Sequence, residues 1–248
     1  MMHLKSGSIS LVQIIKKKEN IVLITIKNVE KKFDAETHLK FKDYEFKQGE
    51  TYVITGPSGC GKSTLLNLIA GIHSVDSGEI IVKSSYQDEK IPQTFELHKM
   101  NQRKRDEYRF NNIGYIFQDY KLVDDFTVID NLQMLNINGK LYTKADMIKA
   151  LALTHIEKKH NQRVKNLSGG EKQRVAIARA ILKKSNIILA DEPTESLNES
   201  LSHEIIELLT TVVKKEKKTL IMVTHDNSLV KYFDHHIDVA DFLKGGNK

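Results

Sequence analysis

A glycine-rich run between a strand pattern and a helix pattern constrains the fold of this chain more than any other feature. Residues 51–55 read Thr-Tyr-Val-Ile-Thr, which predicts a short buried strand, and residues 56–64 read Gly-Pro-Ser-Gly-Cys-Gly-Lys-Ser-Thr. Apolar residues at helical spacing follow until Gly71. A run of the form Gly-x-x-x-x-Gly-Lys-Ser/Thr in this context predicts a backbone cradle for a phosphate at the start of a helix.

The residue types in the run match the chemistry of a bound nucleotide. Glycines let the backbone turn so that successive N–H groups face one phosphate. Lys62 is predicted to reach the β- and γ-phosphates, and Ser63 is predicted to offer its hydroxyl to Mg²⁺. The predicted nucleotide-binding residues of the run are Gly56, Pro57, Ser58, Gly59, Cys60, Gly61, Lys62, Ser63 and Thr64.

Two carboxylates follow another apolar strand pattern. Residues 187–190 read Ile-Ile-Leu-Ala, and Asp191 and Glu192 come directly after them. Asp191 suits the shell of Mg²⁺, directly or through water. Glu192 is predicted to orient and deprotonate a water that attacks the γ-phosphate, an effect typically worth ~10²–10⁴ in rate. The alternative is an ordinary polar turn at a strand end, but the phosphate cradle in the same chain favours the catalytic interpretation.

Strand and helix patterns alternate along most of the chain. This alternation predicts an α/β fold with a parallel sheet covered by helices, and residues 22–55 predict a small antiparallel layer joined to it. Strands are predicted at 22–29, 39–46, 51–55, 78–82, 113–117, 187–190 and 219–224, and helices at 63–70, 171–184 and near 201–215, with a mostly helical stretch at 127–162.

The first 21 residues are weakly patterned and predict an N-terminal extension. Lys17-Lys18-Glu19 can be encoded by a sequence that contains a ribosome-binding site, and Leu23 can be encoded by a TTG start codon. We therefore hypothesise that residues 1–21 are not translated in the native protein. Mass spectrometry of the native N-terminus tests this, and a peptide spanning residues 3–16 would exclude it.

Composition bears on the partners and the compartment. The net charge is +6, but the lysine runs carry no interleaved aromatic residues, so nucleic acid is not expected as a partner. Cys60 is the single cysteine, which excludes an internal disulfide and fits a reducing compartment. No apolar run reaches the ~18 residues that predict a membrane span, and the start lacks the apolar core of a signal peptide. A cytoplasmic location is expected.

A second glycine motif lies more than a hundred positions after the phosphate cradle. Residues 167–171 read Leu-Ser-Gly-Gly-Glu and open an amphipathic helix. A serine-glycine turn at a helix start suits the far side of the same phosphate. One chain cannot easily wrap both motifs around one nucleotide, so the sequence favours a dimer with ATP between the subunits.

Together these motifs resemble the nucleotide-binding subunits of ABC transporters, from about residue 22 to the end. Leu167 to Glu171 resembles the family signature, which is the family's most specific motif. Gln118, after a strand ending at Phe117, resembles the glutamine that touches Mg²⁺ and the attacking water. His225 resembles the histidine that contacts the γ-phosphate, and Phe33 the aromatic residue that stacks on adenine.

The resemblance implies a P-loop NTPase fold: a RecA-like parallel core with a small antiparallel layer and a helical subdomain at about 119–170, all within an ATP-binding domain at 22–248. It implies ATP and Mg²⁺ as cofactors, a homodimer formed through the ATP sites, and a membrane permease that holds the subunit at the inner face of the cell membrane. The implied catalytic residues are Glu192, His225, Gln118 and Lys62; the implied metal ligands are Ser63, Gln118 and Asp191; the implied nucleotide contacts beyond the cradle are Phe33, Ser168, Gly169, Gly170 and Glu171.

Two features are similar to the macrolide-exporter and lipoprotein-releasing ATPases, whose relatives include cell-division proteins. One is a basic helix before the strand at residue 113, and the other is the stretch from Leu167 to Ala180. This subfamily implies export or clearance of peptides, lipoproteins or antimicrobials. One departure is Asn198, where the family usually has an aspartate that helps the two subunits sense each other; slower or less coupled hydrolysis is expected.

Other functions stay open at this point. An ATP-switched signalling or mechanical module that moves no substrate would carry the same motifs, and Asn198 fits its slow turnover. A DNA- or translation-associated ATPase would usually contain a coiled-coil insertion or two nucleotide domains, and an ordinary P-loop kinase does not need the Leu-Ser-Gly-Gly-Glu motif.

Overall fold

The computed structural model of the protein describes residues 21–34, 37–84, 93–137, 139 and 141–244. Apart from Ile21, the predicted extension at residues 1–21 lies outside these ranges. The strands are β1 (Val22–Lys32), β2 (His38–Lys40), β3 (Tyr44–Lys47), β4 (Thr51–Thr55), β5 (Ser77–Ser84), β6 (Gln93–Glu96), β7 (Ile113–Ile116), β8 (Ile187–Asp191), β9 (Thr219–Thr224) and β10 (His235–Asp238). The α-helices are α1 (Lys62–Ile69), α2 (Gln102–Asn112), α3 (Val128–Gln133), α4 (Lys144–Leu153), α5 (Gly169–Leu182), α6 (Glu199–Lys215) and α7 (Val239–Phe242).

A parallel sheet in the order β10-β4-β9-β8-β7 forms the centre of the protein. Strands β4 and β9 are buried along their whole length, which is why their sequences are nearly continuous apolar runs. In the register, Thr55 pairs with Thr224, and Asp191 pairs with Val223. The carboxyl ends of β4, β9 and β8 therefore meet at one edge of the sheet. The predicted α/β fold with a P-loop NTPase core is confirmed.

An antiparallel sheet adjoins this core, as predicted for residues 22–55. Strand β1 pairs with β2 and β3 in succession on one side and with β5 on the other, and β6 extends the sheet beyond β5. The prediction of one strand at 39–46 was wrong. The chain leaves β2 at Phe41, whose N–H donates to Val29 O, and Asp43 accepts from the N–H of Asn28, so pairing with β1 resumes only at β3.

The helices cover the sheets through amphipathic faces and divide the apolar interior into three clusters. One cluster joins α3 and α4 to a face of α5, apart from the clusters beside the sheets. Helix α5 also contributes Ile177 and Ile181 to the cluster that packs between the parallel sheet and α6. The helical subdomain at about 119–170 stays a prediction, because α5 belongs to both clusters. None of the helices in the described ranges combines the length and apolar character needed to cross a bilayer.

Candidate nucleotide site

The glycine-rich run forms a loop that encloses the side chain of Lys62. The ammonium group donates to Gly56 O at 2.8 Å and to Pro57 O at 2.9 Å, and the side chain is only 4% exposed. Helix α1 begins at Lys62, and its N-cap, Gly61, makes no side-chain capping bond. The first N–H groups of α1 therefore lack a side-chain acceptor and can donate to an anion.

The loop rests against the antiparallel sheet at Gly61. This residue has φ of 100°, and a Cβ added to it would lie 2.7 Å from Cδ1 of Leu39. Glycine is therefore required here both by the left-handed backbone and by the close approach of β2. The contact ties the position of the phosphate loop to the antiparallel layer, which the loop sequence alone did not predict.

Asp191 and Ser63 meet at the edge where β8 ends. The Ser63 hydroxyl donates to Asp191 Oδ1 at 2.7 Å, and the Tyr115 hydroxyl lies 3.4 Å from Oδ2 and 3.1 Å from the side-chain oxygen of Asn67. Burial raises the pKa of the Asp191 carboxyl, the hydrogen bond from Ser63 opposes this shift, and the charge of Glu192 adds to it. A half-buried carboxylate beside a hydroxyl is a donor set that fits Mg²⁺, whose positive charge would favour the ionised carboxyl.

Glu192 sits in the turn after β8 and is held from both sides. Its Oε1 lies 3.4 Å from the Lys62 ammonium, and its Oε2 accepts from the His225 N–H at 3.1 Å and lies 3.0 Å from His225 Nδ1. The Glu192 backbone has φ of 44°, in the left-handed region. Such backbone conformations cost ~1–3 kcal/mol and persist where surrounding contacts fix them. The arrangement holds a carboxylate within reach of the lysine that is predicted to bind the γ-phosphate.

A cavity of about 350 Å³ opens beside the phosphate loop. Phe33 is 48% exposed and lines this cavity. Its ring is edge-on to the imidazole of His73 at 5.6 Å, and the Lys31 ammonium lies 5.8 Å from its centroid. The predicted site residues that line the cavity are Phe33, Ser58, Gly59, Gly61, Lys62, Ser63, Thr64, Gln118 and Glu192. Thr37, Leu39 and Glu195 line it as well and were not predicted.

Nine predicted site residues lie outside this lining: Gly56, Pro57, Cys60, Asp191, His225, Ser168, Gly169, Gly170 and Glu171. Cys60 is half-buried and packs against the main apolar cluster. His225 lines a second cavity of about 350 Å³, which shares Glu192 and Glu195 with the first. His225 thus approaches the nucleotide site through its contact with Glu192.

The serine-glycine motif caps helix α5. The Ser168 side chain accepts from the N–H of Glu171 at 3.4 Å, and the Glu171 carboxylate accepts from the N–H of Ser168 at 3.0 Å and pairs with Lys159. A Cβ on Gly170 would lie 2.7 Å from Cδ2 of Leu201, so a larger residue there would displace this leucine side chain. Within the described chain, Ser168, Gly169, Gly170 and Glu171 line neither of the two cavities. The structure brings these four residues together, but not to the phosphate loop of the same chain.

Some contacts of the site depend on which strands are neighbours, and strand patterns alone do not predict that order. Tyr115 reaches Asp191 because β7 lies beside β8. Its only sequence signal was a hydroxyl-bearing residue in a buried strand. Glu195 and Asn198 lie in the turn after Glu192; Asn198 accepts from the N–H of Leu201 at 2.9 Å and serves as the N-cap of α6. The family's aspartate would cap this helix equally well.

A larger groove of about 910 Å³ lies between α2, α5 and described residues from Phe117 to Ile137 together with Leu141. Its wall combines apolar side chains with cations. Residues that line it include Phe110, Lys121, Met134, Ile137, Arg179 and Lys183. Ile137 is 75% exposed, so the groove presents apolar surface to a partner.

Comparisons with known proteins find similar sequences and structures over most of the chain. A family model described as ABC transporter matches residues 39–195. The lipoprotein-releasing system ATP-binding protein LolD of Treponema denticola is 37% identical over 195 residues, covering 77% of this chain and 82% of the relative. The putative hemin import ATP-binding protein HrtA of Staphylococcus epidermidis is 35% identical over 225 residues, covering 88% and 96%. The dimeric, post-hydrolysis structure of the ATP-binding cassette MJ0796 with ADP and Pi is 30% identical, with a TM-score of 0.71, and covers 87% of this chain and 94% of that one.

Proposed function

Because this chain belongs to the ABC transporter family as an ATP-binding and ATP-hydrolysing subunit, we propose that two copies close around ATP and that this closure drives a separate membrane permease. The observation that supports a shared site is that the two glycine motifs are separate within one subunit. Ser168, Gly169 and Gly170 do not line the cavity at Lys62, and in this proposal a second copy supplies them.

Hydrolysis in this proposal uses groups that are already in contact. Lys62 exchanges its bonds to Gly56 O and Pro57 O for phosphate oxygens. Glu192 takes the proton of the attacking water, whose oxygen bonds to the γ-phosphorus while the bond to the bridging oxygen of ADP breaks. His225 holds Glu192 in position. Ser63, Gln118 and Asp191 would hold Mg²⁺, which supplies positive charge to the phosphates when bound.

Closure follows from the difference in affinity between two states. The start of α5 from the second copy adds N–H groups and a positive helix end to the γ-phosphate. ATP therefore binds the closed dimer more tightly than the open one and shifts the population towards closure. Loss of the γ-phosphate removes this bridge, and the dimer opens.

The permease is proposed to dock in the 910 Å³ groove, which offers exposed apolar surface next to the loop of Gln118. This partner would hold the subunit at the inner face of the cell membrane. The similarity to a lipoprotein-releasing ATPase supports a cargo of lipoproteins, peptides or antimicrobial compounds.

A test of the shared site uses Glu192→Gln, which keeps the shape of the side chain but removes the base. We expect hydrolysis to fall by ~100-fold or more. ATP should then trap a dimer, which size-exclusion chromatography detects. Wild-type turnover in this variant would show that Glu192 is not the base.

The matched control for the dimer is Ser168→Arg in the Glu192→Gln protein. It should bind ATP as a monomer, because the cradle is intact, but form no dimer, because the motif offered to the second copy is blocked. In the wild-type protein, the rate per molecule should rise with protein concentration. A rate per molecule that is constant far below the dimer's Kd would contradict a shared site.

The second candidate is an ATP-switched signalling or mechanical module without transport, which Asn198 favours through slower turnover. The two functions differ in what the permease does. Reconstitution of the subunit with its permease should change the movement or release of a cargo in the first case, and only the activity of an outer partner in the second.

A further inference from the structure

Tyr120 joins three segments of one subunit. Its hydroxyl shares a hydrogen bond of 2.7 Å with the Ser196 hydroxyl, in the turn after β8. A Cβ added to Gly169 would lie 3.3 Å from the same hydroxyl and 3.4 Å from Leu197, so the start of α5 packs directly against both. The loop after β7, the turn after β8 and the serine-glycine turn therefore meet at one phenol.

The loop that carries Tyr120 is held in an unusual backbone conformation. Tyr120 and Lys121 have φ of 59° and 47°, in the left-handed region that non-glycine residues rarely occupy. Arg179 donates to both carbonyls, at 2.7 Å to Tyr120 O and at 2.5 Å to Lys121 O. Because Arg179 belongs to α5, the helix that Ser168 caps also holds the backbone that carries Tyr120.

The position of this loop links the surfaces used in the proposed function. Gln118 lines the nucleotide cavity, and Lys121 lines the large groove. Ser196 lies four residues after Glu192 and two before the N-cap of α6. Tyr120 thus sits behind the face that a second copy would meet, without lining the nucleotide cavity itself.

We propose that Tyr120 is a positioning residue for dimer closure. Its hydrogen bond to Ser196 and its contact with Gly169 hold the serine-glycine turn and the turn after β8 in one orientation towards the second copy. The affinity of the ATP-bound dimer depends on this contact, whereas ATP binding by one subunit does not. This inference rests on the proposed function, because it concerns the face that completes the shared site.

The experiment uses Tyr120→Phe, which removes the hydroxyl and keeps the ring. In the Glu192→Gln protein, we expect the Kd of the ATP-dependent dimer, measured by analytical ultracentrifugation, to rise by up to roughly fivefold. That factor applies when the whole free energy of one ordinary hydrogen bond is coupled to closure, because the bond already forms within one subunit. The Kd of the monomer for a fluorescent ATP analogue should stay unchanged. Without Glu192→Gln, turnover should need more protein to reach half its maximum but should reach the same kcat per dimer.

Ser196→Ala should weaken the dimer by a similar factor, and the double variant should be no weaker than either single one, because both remove the same bond. Tyr232→Phe is the matched control: its hydroxyl lies 3.1 Å from His203, outside this contact, and its loss should leave the dimer unchanged.

The proposal would be overturned if the dimer Kd of Tyr120→Phe equalled that of its Glu192→Gln parent. It would also be overturned if the effects of Tyr120→Phe and Ser196→Ala on the dimer Kd added fully in the double variant. A change in the monomer's affinity for the ATP analogue would instead show a general structural role and also overturn it. If the Glu192→Gln parent itself forms no dimer with ATP, the shared site fails, and the inference fails with it.

Discussion

Glu195 places a second negative charge on the wall of the nucleotide cavity. It lies in the turn after Glu192, whose carbonyl accepts its N–H at 3.2 Å, and it lines both cavities that meet there. Unlike Glu192, which contacts Lys62 and His225, Glu195 is exposed. A carboxylate that faces a triphosphate opposes binding, by about 1 kcal/mol at close range in water.

We therefore expect Glu195→Gln to lower the KM for MgATP about two- to fivefold, with little change in kcat. Salt screens exposed charges, so the difference from wild type should shrink at high ionic strength. Steady-state kinetics at two salt concentrations measures both effects. Glu199→Gln is the control, because Glu199 lines only the second cavity. An unchanged KM in Glu195→Gln would show that this carboxylate does not act on the nucleotide.

At the residue scale, the sequence predicted contacts within one motif, but it predicted contacts between distant segments only where a shared chemistry linked the residues. The contacts of Lys62 with Gly56 and Pro57 lie within one loop, so the spacing of the motif implies them. The hydrogen bond from Ser63 to Asp191 spans more than a hundred residues, and only the chemistry of a metal site suggested it. Leu39 had no such chemical signal, because it acts on Gly61 through packing alone.

Helix α5 and strand β7 pack closely enough to exclude a side chain at Gly114. A Cβ there would lie 2.6 Å from Cδ1 of Ile188 and 2.7 Å from the carbonyl of Ala180. Gly114 has no left-handed φ, so its role is to let the helix and the strand approach. This approach sets the position of α5 relative to the loop that follows β7.

Gly114→Ala should lower the free energy of unfolding by about 1–3 kcal/mol, as overpacking of a core typically does. Urea denaturation followed by circular dichroism measures the loss. Adding Ile188→Val removes the clashing methyl but not the carbonyl, so the double variant should not regain the stability of Ile188→Val alone. Full recovery would show that only the isoleucine limits this contact.

At the scale of helices and strands, the spacing of apolar residues predicted the elements whose apolar side chains are buried in the core. Strands β4 and β9 lie where the pattern predicted them. The prediction at 39–46 was wrong because apolar side chains continue through a break in pairing: Phe41 is buried although the backbone has left β2. Strand β6 (Gln93–Glu96) was not predicted, since it pairs at the sheet edge with a mostly polar sequence.

The stability of the whole molecule includes a buried ammonium group. Lys218 is 1% exposed and donates to Lys183 O at 2.7 Å and to Ser185 O at 2.6 Å, which joins the end of α5 to the start of β9. Burial lowers its pKa from 10.5 to about 8. Between these two values the unfolded chain holds the proton and the folded chain does not, so this group's contribution to stability rises with pH.

Lys218→Met removes that titration. The difference in unfolding free energy between wild type and variant should grow in favour of wild type by on the order of 2 kcal/mol between pH 7 and pH 10. Denaturant unfolding at several pH values measures it. The comparison cancels groups whose pKa does not depend on Lys218, but not Lys183, because burial and the charges of nearby cations, Lys218 among them, lower its pKa. A difference that does not vary with pH would mean that Lys218 keeps its ordinary pKa in the folded protein.

For the whole molecule, the sequence predicted a dimer from the separation of two motifs but did not predict the order of the strands. The α/β class follows from alternation, whereas the order β10-β4-β9-β8-β7 depends on how helices of many lengths pack together. The two cavities that meet at Glu192 and the groove beside α2 are products of that order.

The pairing of β4 has a consequence for synthesis on the ribosome. This early strand carries the phosphate loop, yet both of its neighbours in the sheet, β9 and β10, come from residues 219–238. A nascent chain that ends before these residues lacks both strands that pair with β4. It therefore cannot hold the phosphate loop in its folded position. We expect chains truncated after residue 218 to bind no ATP analogue, and binding by such a chain would contradict this. An incompletely synthesised subunit would then neither hydrolyse ATP nor dimerise with a complete one.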